Sequence, residues 1–141
     1  MYKCSGVRDL DYATSVNNLA YCYARLENYK KACTLEEEAL TVRREQIDDK
    51  SSQLYLNTLV NMGSYYMKTE QYSKAIDIYK EELNLKNMKY GPKSSSIIST
   101  LTNMAICCFH LGKSNEAESY CLESISIRKK WVLMELSITI L

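Results

Sequence analysis

Asn18-Leu19-Ala20 recurs as Asn61-Met62-Gly63 and again as Asn103-Met104-Ala105, at steps of 43 and 42 residues. A fixed period of this length constrains the fold before any local reading does, because each copy must be one supersecondary unit that packs on its neighbours. The register extends well beyond the triplets. Val16, Leu59 and Leu101 align, as do Tyr23, Tyr66 and Cys108. So do Ala32, Ala75 and Ala117, and then Leu40, Leu83 and Ile125. Three copies of one unit account for nearly the whole chain.

Within each copy the apolar spacing is helical. Val16, Leu19, Ala20 and Tyr23 stand at i, i+3, i+4 and i+7, the buried stripe of a helix over 12–26. A second helix follows over 29–46, with Asn28 as its cap. Ala32, Leu35, Ala39 and Leu40 line its inner side, and Lys30, Lys31, Glu37, Arg43 and Arg44 face water. The Glu36-Glu37-Glu38 run reads as a solvated convex face. Asp48-Asp49-Lys50-Ser51 supplies a polar break with capping residues. The second copy repeats the pattern through Leu59, Met62, Gly63 and Tyr66, then Ala75, Ile78, Tyr79 and Leu83, with Glu82 as a polar exception. Gly91-Pro92 stops it. The third copy carries Leu101, Met104, Ala105 and Cys108, a turn at Gly112 with Ser114 as the next cap, and a closing helix. The small residues, Ala20/Gly63/Ala105 and Ala32/Ala75/Ala117, lie where two helices of a unit cross, because low bulk there sets a close approach. The expected organisation is an entry linker over 1–11, units over 12–50, 51–92 and 93–130, and a helical extension or cap over 131–141. That last segment would cover the open end of the stack; a patch left uncovered would favour self-association.

Composition narrows the function classes. With 18 basic and 17 acidic residues, the net charge of +1 gives no electrostatic footprint for nucleic acid. No run is long enough to span a bilayer, and the start has no apolar signal region. There is also no Asn-x-Ser/Thr acceptor, and a cytoplasmic location is the expectation. Cys4, Cys22, Cys33, Cys107, Cys108 and Cys121 show no C-x-x-C spacing, and His110 is the one histidine. They read as buried small hydrophobes in a reducing compartment, so neither a metal site nor a cofactor is expected. No nucleophile–base set and no phosphate-cradling glycine loop appears, so no catalytic residue is assigned and an enzyme is not expected.

The ordered series of a large residue, Leu or Met with a small residue, an aromatic, and a later Ala resembles the tetratricopeptide repeat. The positions read Val16, Leu19, Ala20, Tyr23, Ala32; then Leu59, Met62, Gly63, Tyr66, Ala75; then Leu101, Met104, Ala105, Cys108, Ala117. The period of 42 to 43, with Asn before the pair, is similar to the longer repeats of kinesin light chains. The resemblance implies an all-α fold, a right-handed superhelical stack of antiparallel helix pairs (an α-solenoid) with a C-terminal helical extension. It also implies a concave groove, lined by the first helix of each unit, that binds an extended peptide of a partner protein.

On that implication the groove presents Asn17, Asn18, Tyr21 and Arg25, then Asn57, Asn61, Ser64 and Lys68, then Asn103 and His110. An Asn amide offers two donors and an acceptor, so Asn18, Asn61 and Asn103 could grip a peptide backbone without reading its sequence. Arg25, Lys68 and His110 form a second column that would favour acidic side chains. Of the positions that clamp acidic C-terminal tails in one tetratricopeptide subset, only Asn61 matches here, so that activity is not expected. The rival reading is an architectural segment of a longer array that self-associates and takes no peptide.

Overall fold

The computed structural model describes residues 9–50 and 52–140. Cys4, Gly6, most of the expected entry linker and the capping residue Ser51 lie outside them. Among the described residues six helices follow in order: α1 (Leu10–Arg25), α2 (Tyr29–Gln46), α3 (Gln53–Lys68), α4 (Tyr72–Tyr90), α5 (Ile98–His110) and α6 (Ser114–Ile140). A 3-10 turn, Ser95–Ile97, leads into α5, and no strand occurs among the described residues. The chain forms two compact units, Met1–Ile78 and Tyr79–Leu141, with α4 running through the boundary.

The period fixes the helix ends as well as the faces. Asp9, Ser52 and Ser94 stand in register, and each accepts a backbone N–H at the start of a helical segment, from Tyr12, Tyr55 and Ser96. Asn28 caps α2 by accepting the Lys31 N–H at 3.3 Å. The three hairpin turns share one device. Asn28 N–H donates to Tyr23 O, Gln71 N–H to Tyr66 O and Lys113 N–H to Cys108 O, each at 2.8 Å. These close Schellman turns whose left-handed position is Glu27, Glu70 and Gly112, with φ of 61°, 58° and 75°. Ser114 is the first residue of α6 rather than its cap; the Lys113 carbonyl accepts the Ala117 N–H.

The crossings carry the expected small residues. Ala20 packs into the α1–α2 pair with Ala32, and both are fully buried; Gly63 and Ala75 are buried in the next pair. Ala13, Val16, Ala39 and Val42 form one apolar cluster. In the second unit Ile97, Leu101 and Ile127 form another, flanked by Leu83, Tyr120 and Trp131.

Several charged positions overturn the sequence expectation. Glu36 and Arg43 are buried, not solvated, and Glu37 and Glu38 are half-buried. Burial is tolerated because each has polar partners from neighbouring helices. Arg43 Nη1 donates to Thr58 Oγ1 and Nη2 to Thr14 Oγ1 at 3.2 Å. One repeat on, Lys86 Nζ donates to Thr100 Oγ1 at 2.9 Å and pairs with Glu82 at 2.7 Å. That pairing accounts for Glu82 on an otherwise apolar face. Arg43 and Lys86 are 43 positions apart, and Thr58 and Thr100 are 42 apart, so one cation–hydroxyl latch joins successive repeats twice.

Apolar expectations are corrected at the outer faces. Leu19 and Ile125 are exposed, and Ala117 is half-buried. Cys22 and Cys121 are exposed while Cys33, Cys107 and Cys108 are buried, so the thiols divide into two classes. Burial pushes the Cys107 thiol up to about 11. Residues 131–140 continue α6 without a break. Trp131 docks by donating its indole N–H to Lys93 O at 3.0 Å, but Leu133, Met134, Leu136 and Ile138 beyond it are exposed. The tail is therefore an extension of α6 that packs on the Ile97–Leu101–Ile127 cluster through Trp131 and is exposed beyond it.

Candidate protein-binding face

In the first unit, α1 and α3 pack on either side of a single buried carboxylate of α2. The Asn17 amide donates to both oxygens of Glu36, at 2.7 and 2.8 Å. Asn61 also hydrogen-bonds Glu36, and Arg43 attracts it. Removal from water outweighs these contacts and raises the Glu36 carboxyl to about 7. Tyr65 lies in the same cluster. Burial first, then Glu36, Tyr21 and Tyr29, push its hydroxyl up to about 12.

Most of the other residues expected to line a binding groove lie on the same two helices, α1 and α3. Asn18, Tyr21 and Arg25 of α1 are exposed at i, i+3 and i+7, and Tyr21 keeps 53% of its surface. Asn57, Ser64 and Lys68 of α3 are exposed as well, at i, i+7 and i+11, and Ser64 and Lys68 stand in register with Tyr21 and Arg25. Asn57 Oδ1 accepts from Gln53 at 2.8 Å, which orients its amide. Lys68 Nζ lies 5.6 Å above the Tyr29 ring, which steadies the ammonium without neutralising it. Arg25 and Lys68 both occupy the last turn of their helices, where the backbone carbonyls also favour a cation.

The Asn column is thus not uniform. Asn18 is exposed, whereas Asn61 is half-buried with its side chain engaged by Glu36. In the second unit Asn103 is half-buried, and His110 is exposed with its ring edge-on to Phe109 at 5.7 Å. The sequence reading missed Glu36, Tyr29 and Tyr65 as neighbours of the expected binding residues. Glu36 has Tyr79 and Cys121 at the matching positions, so no recurrence marked it. Among the described residues no cluster of His, Cys, Asp and Glu is arranged to hold a metal ion, and no helix is long and apolar enough to cross a membrane.

Comparison with known proteins agrees with this architecture. The tetratricopeptide repeat sequence profile matches residues 11–88 and again 54–130. No curated protein sequence matches. Among solved structures, the TPR domain of Arabidopsis FLU superposes with a TM-score of 0.68 at 18% identity, over 84% of this chain and 95% of that one. Nearly identical TPR-like repeats of a putative kinesin light chain from Podosopora anserina give a TM-score of 0.71 at 16% identity, over 86% and 57%. BtubC (BKLC) from P. vanneervenii gives 0.70 at 22% identity, over 84% and 47%. The chain thus spans about half the length of these last two. The fold class is the all-α helical-repeat solenoid, and the likeness extends to repeats of the kinesin-light-chain kind.

Proposed function

The chain belongs to the tetratricopeptide-repeat family, a scaffold for protein–protein interaction, and from that premise we propose that its first unit binds an extended, acidic segment of a partner protein. One observation carries this reading. The Glu36 clasp holds α1 and α3 at fixed spacing beneath a row of exposed amide, hydroxyl and cationic side chains. A pre-set row loses little side-chain freedom on binding, which favours a backbone-gripping mode. Asn18 and Asn57 supply the amide contacts, Tyr21 a flat apolar surface, and Arg25 and Lys68 the charge that selects acidic residues. Asn17 and Asn61 support the row from below. Asn103 and His110 are the corresponding residues of the second unit. The compartment that goes with this reading is the cytoplasm.

The test is fluorescence anisotropy with a panel of extended peptides, acidic, neutral and basic, at two salt concentrations. Acidic peptides are expected to bind best and to weaken at high salt. The Asn18→Ala, Lys68→Glu double variant is expected to lose about tenfold in affinity or more, equivalent to about 1.4 kcal/mol. Both residues are exposed, so the melting curve should be unchanged. Equal binding of all three peptide classes, or a double variant that binds like wild type, would refute the proposal, and no binding of any peptide would favour a purely architectural role.

A further inference from the structure

Two exposed faces of this chain are related by the repeat register in a way that makes them fit each other. The first is a groove of about 490 Å³ in the first unit, lined by Leu19 and Tyr23 of α1 and by Lys30, Lys31, Thr34 and Leu35 of α2. Its apolar floor is open, with Leu19 48% exposed. One repeat later the positions of Leu19, Tyr23, Lys31 and Leu35 are held by Met62, Tyr66, Lys74 and Ile78. There Met62, Tyr66 and Ile78 are buried. The ammonium–ring pair is common to both, with Lys31 5.2 Å from the Tyr23 centroid and Lys74 5.7 Å from that of Tyr66. What occupies the later seat is visible: Glu37 of α2 accepts from the Tyr66 hydroxyl at 2.6 Å and lies 4.0 Å from Lys74 Nζ. The seat is built to receive the second helix of another repeat.

The second face is on α6. Leu122 stands at the position of Glu37, and Ile125 at that of Leu40. Leu40 is buried, but Leu122 and Ile125 are 57% and 49% exposed. An apolar pair on the helix thus matches the apolar floor of the open groove. The latch supplies a third, independent correspondence. The cation of each second helix is Arg43, Lys86 and then Arg128. The hydroxyl of each first helix is Ser15, Thr58 and then Thr100. Arg43 uses Thr58 and Lys86 uses Thr100. Arg128 and Ser15 are the two members left over, and both are exposed.

We propose that copies of this chain join head to tail, α6 of one copy seating in the α1–α2 groove of the next. Leu122 and Ile125 then cover Leu19 and Tyr23, and Arg128 donates to the Ser15 hydroxyl, continuing the repeat stack across the junction. The contact is heterologous, so each copy keeps one free face of each kind and the product is an open chain or a closed ring. None of the peptide-face residues takes part, so the inference stands apart from the peptide reading.

Sedimentation velocity of the 141-residue chain over a concentration series tests it. The wild-type mass is expected to rise with concentration. Leu19→Asp and Leu122→Asp remove one face each, at exposed positions, and each variant is expected to be monomeric with association weakened at least about tenfold. Circular dichroism identical to wild type establishes that both variants fold. An equimolar mixture of the two has one intact groove and one intact α6 between its members, so it is expected to form a dimer and nothing larger. A wild-type monomer throughout the series, association that persists in both variants, or a mixture that stays monomeric would each overturn the proposal.

Discussion

Glu36 is the residue at which sequence and structure part most sharply. A glutamate that opens a run of three reads as surface, yet it is wholly buried and bonded by amides from two other helices. Its carboxyl is raised to about 7, against about 4.3 for an exposed glutamate. A proton held more tightly by the folded state stabilises it at low pH, and that stabilisation is lost as pH rises from the ordinary carboxylate range through about 7. The contribution is on the order of 4 kcal/mol in all, from about 1.4 kcal/mol for each tenfold change in proton affinity. Urea melts between pH 5 and pH 8 should show the wild type losing stability over this window. Glu36→Gln keeps an acceptor for Asn17 and Asn61 but carries no charge, so its stability should be nearly flat. A wild type and a Glu36→Gln variant with parallel pH profiles would show that the carboxyl titrates normally. The same logic explains what sequence could not disclose. Arg43 and Glu36 look like water-facing charges because their partners, Thr58 and Asn61, lie on other helices, and only the packed helices bring them together. Recurrence did hold one clue, since Arg43, Lys86 and Arg128 fall in register with a hydroxyl series.

At the scale of the helices, most of the structure was legible. Periodicity gave the six helices, Asn28 gave a cap, and the paired small residues gave the crossings. Periodicity assigns a face to each helix, but it does not say whether a neighbour covers that face. Leu19 and Met62 are equivalent in sequence, and one is exposed while the other is buried. The turns supply a sharper case. Glu27 and Glu70 hold left-handed backbone at the position where the third repeat has Gly112. A residue with a Cβ in that region is strained by roughly 1–2 kcal/mol, partly offset by the greater freedom glycine has when unfolded. Glu70→Gly should therefore stabilise the chain by about 1 kcal/mol, and Gly112→Glu should destabilise it by a similar amount. Thermal melts of the two variants check the pair together; shifts of the same sign would contradict the shared turn geometry.

For the molecule as a whole, the period makes each repeat's interior depend on the next. The latch shows this most simply, because its cation and its hydroxyl lie on opposite sides of a loop. Cutting the chain at that loop separates the partners of one latch, but rejoining it to any other repeat supplies an equivalent partner. Ser52 and Ser94 are matching helix caps, so a copy of residues 52–93 carries its own start signal, its own Thr58 and its own Lys86. Spliced in after Lys93, that copy would place its Thr58 against the original Lys86 and its own Lys86 against Thr100. A four-repeat chain made this way should fold with all latches formed, and its urea midpoint should rise, as nearest-neighbour coupling in repeat proteins requires. A midpoint at or below that of the parent would mean that the repeats are not interchangeable. The buried latch, which first accounts for a misplaced arginine, thus also serves as a coupling standard by which such a chain can lengthen one repeat at a time without redesigning its core.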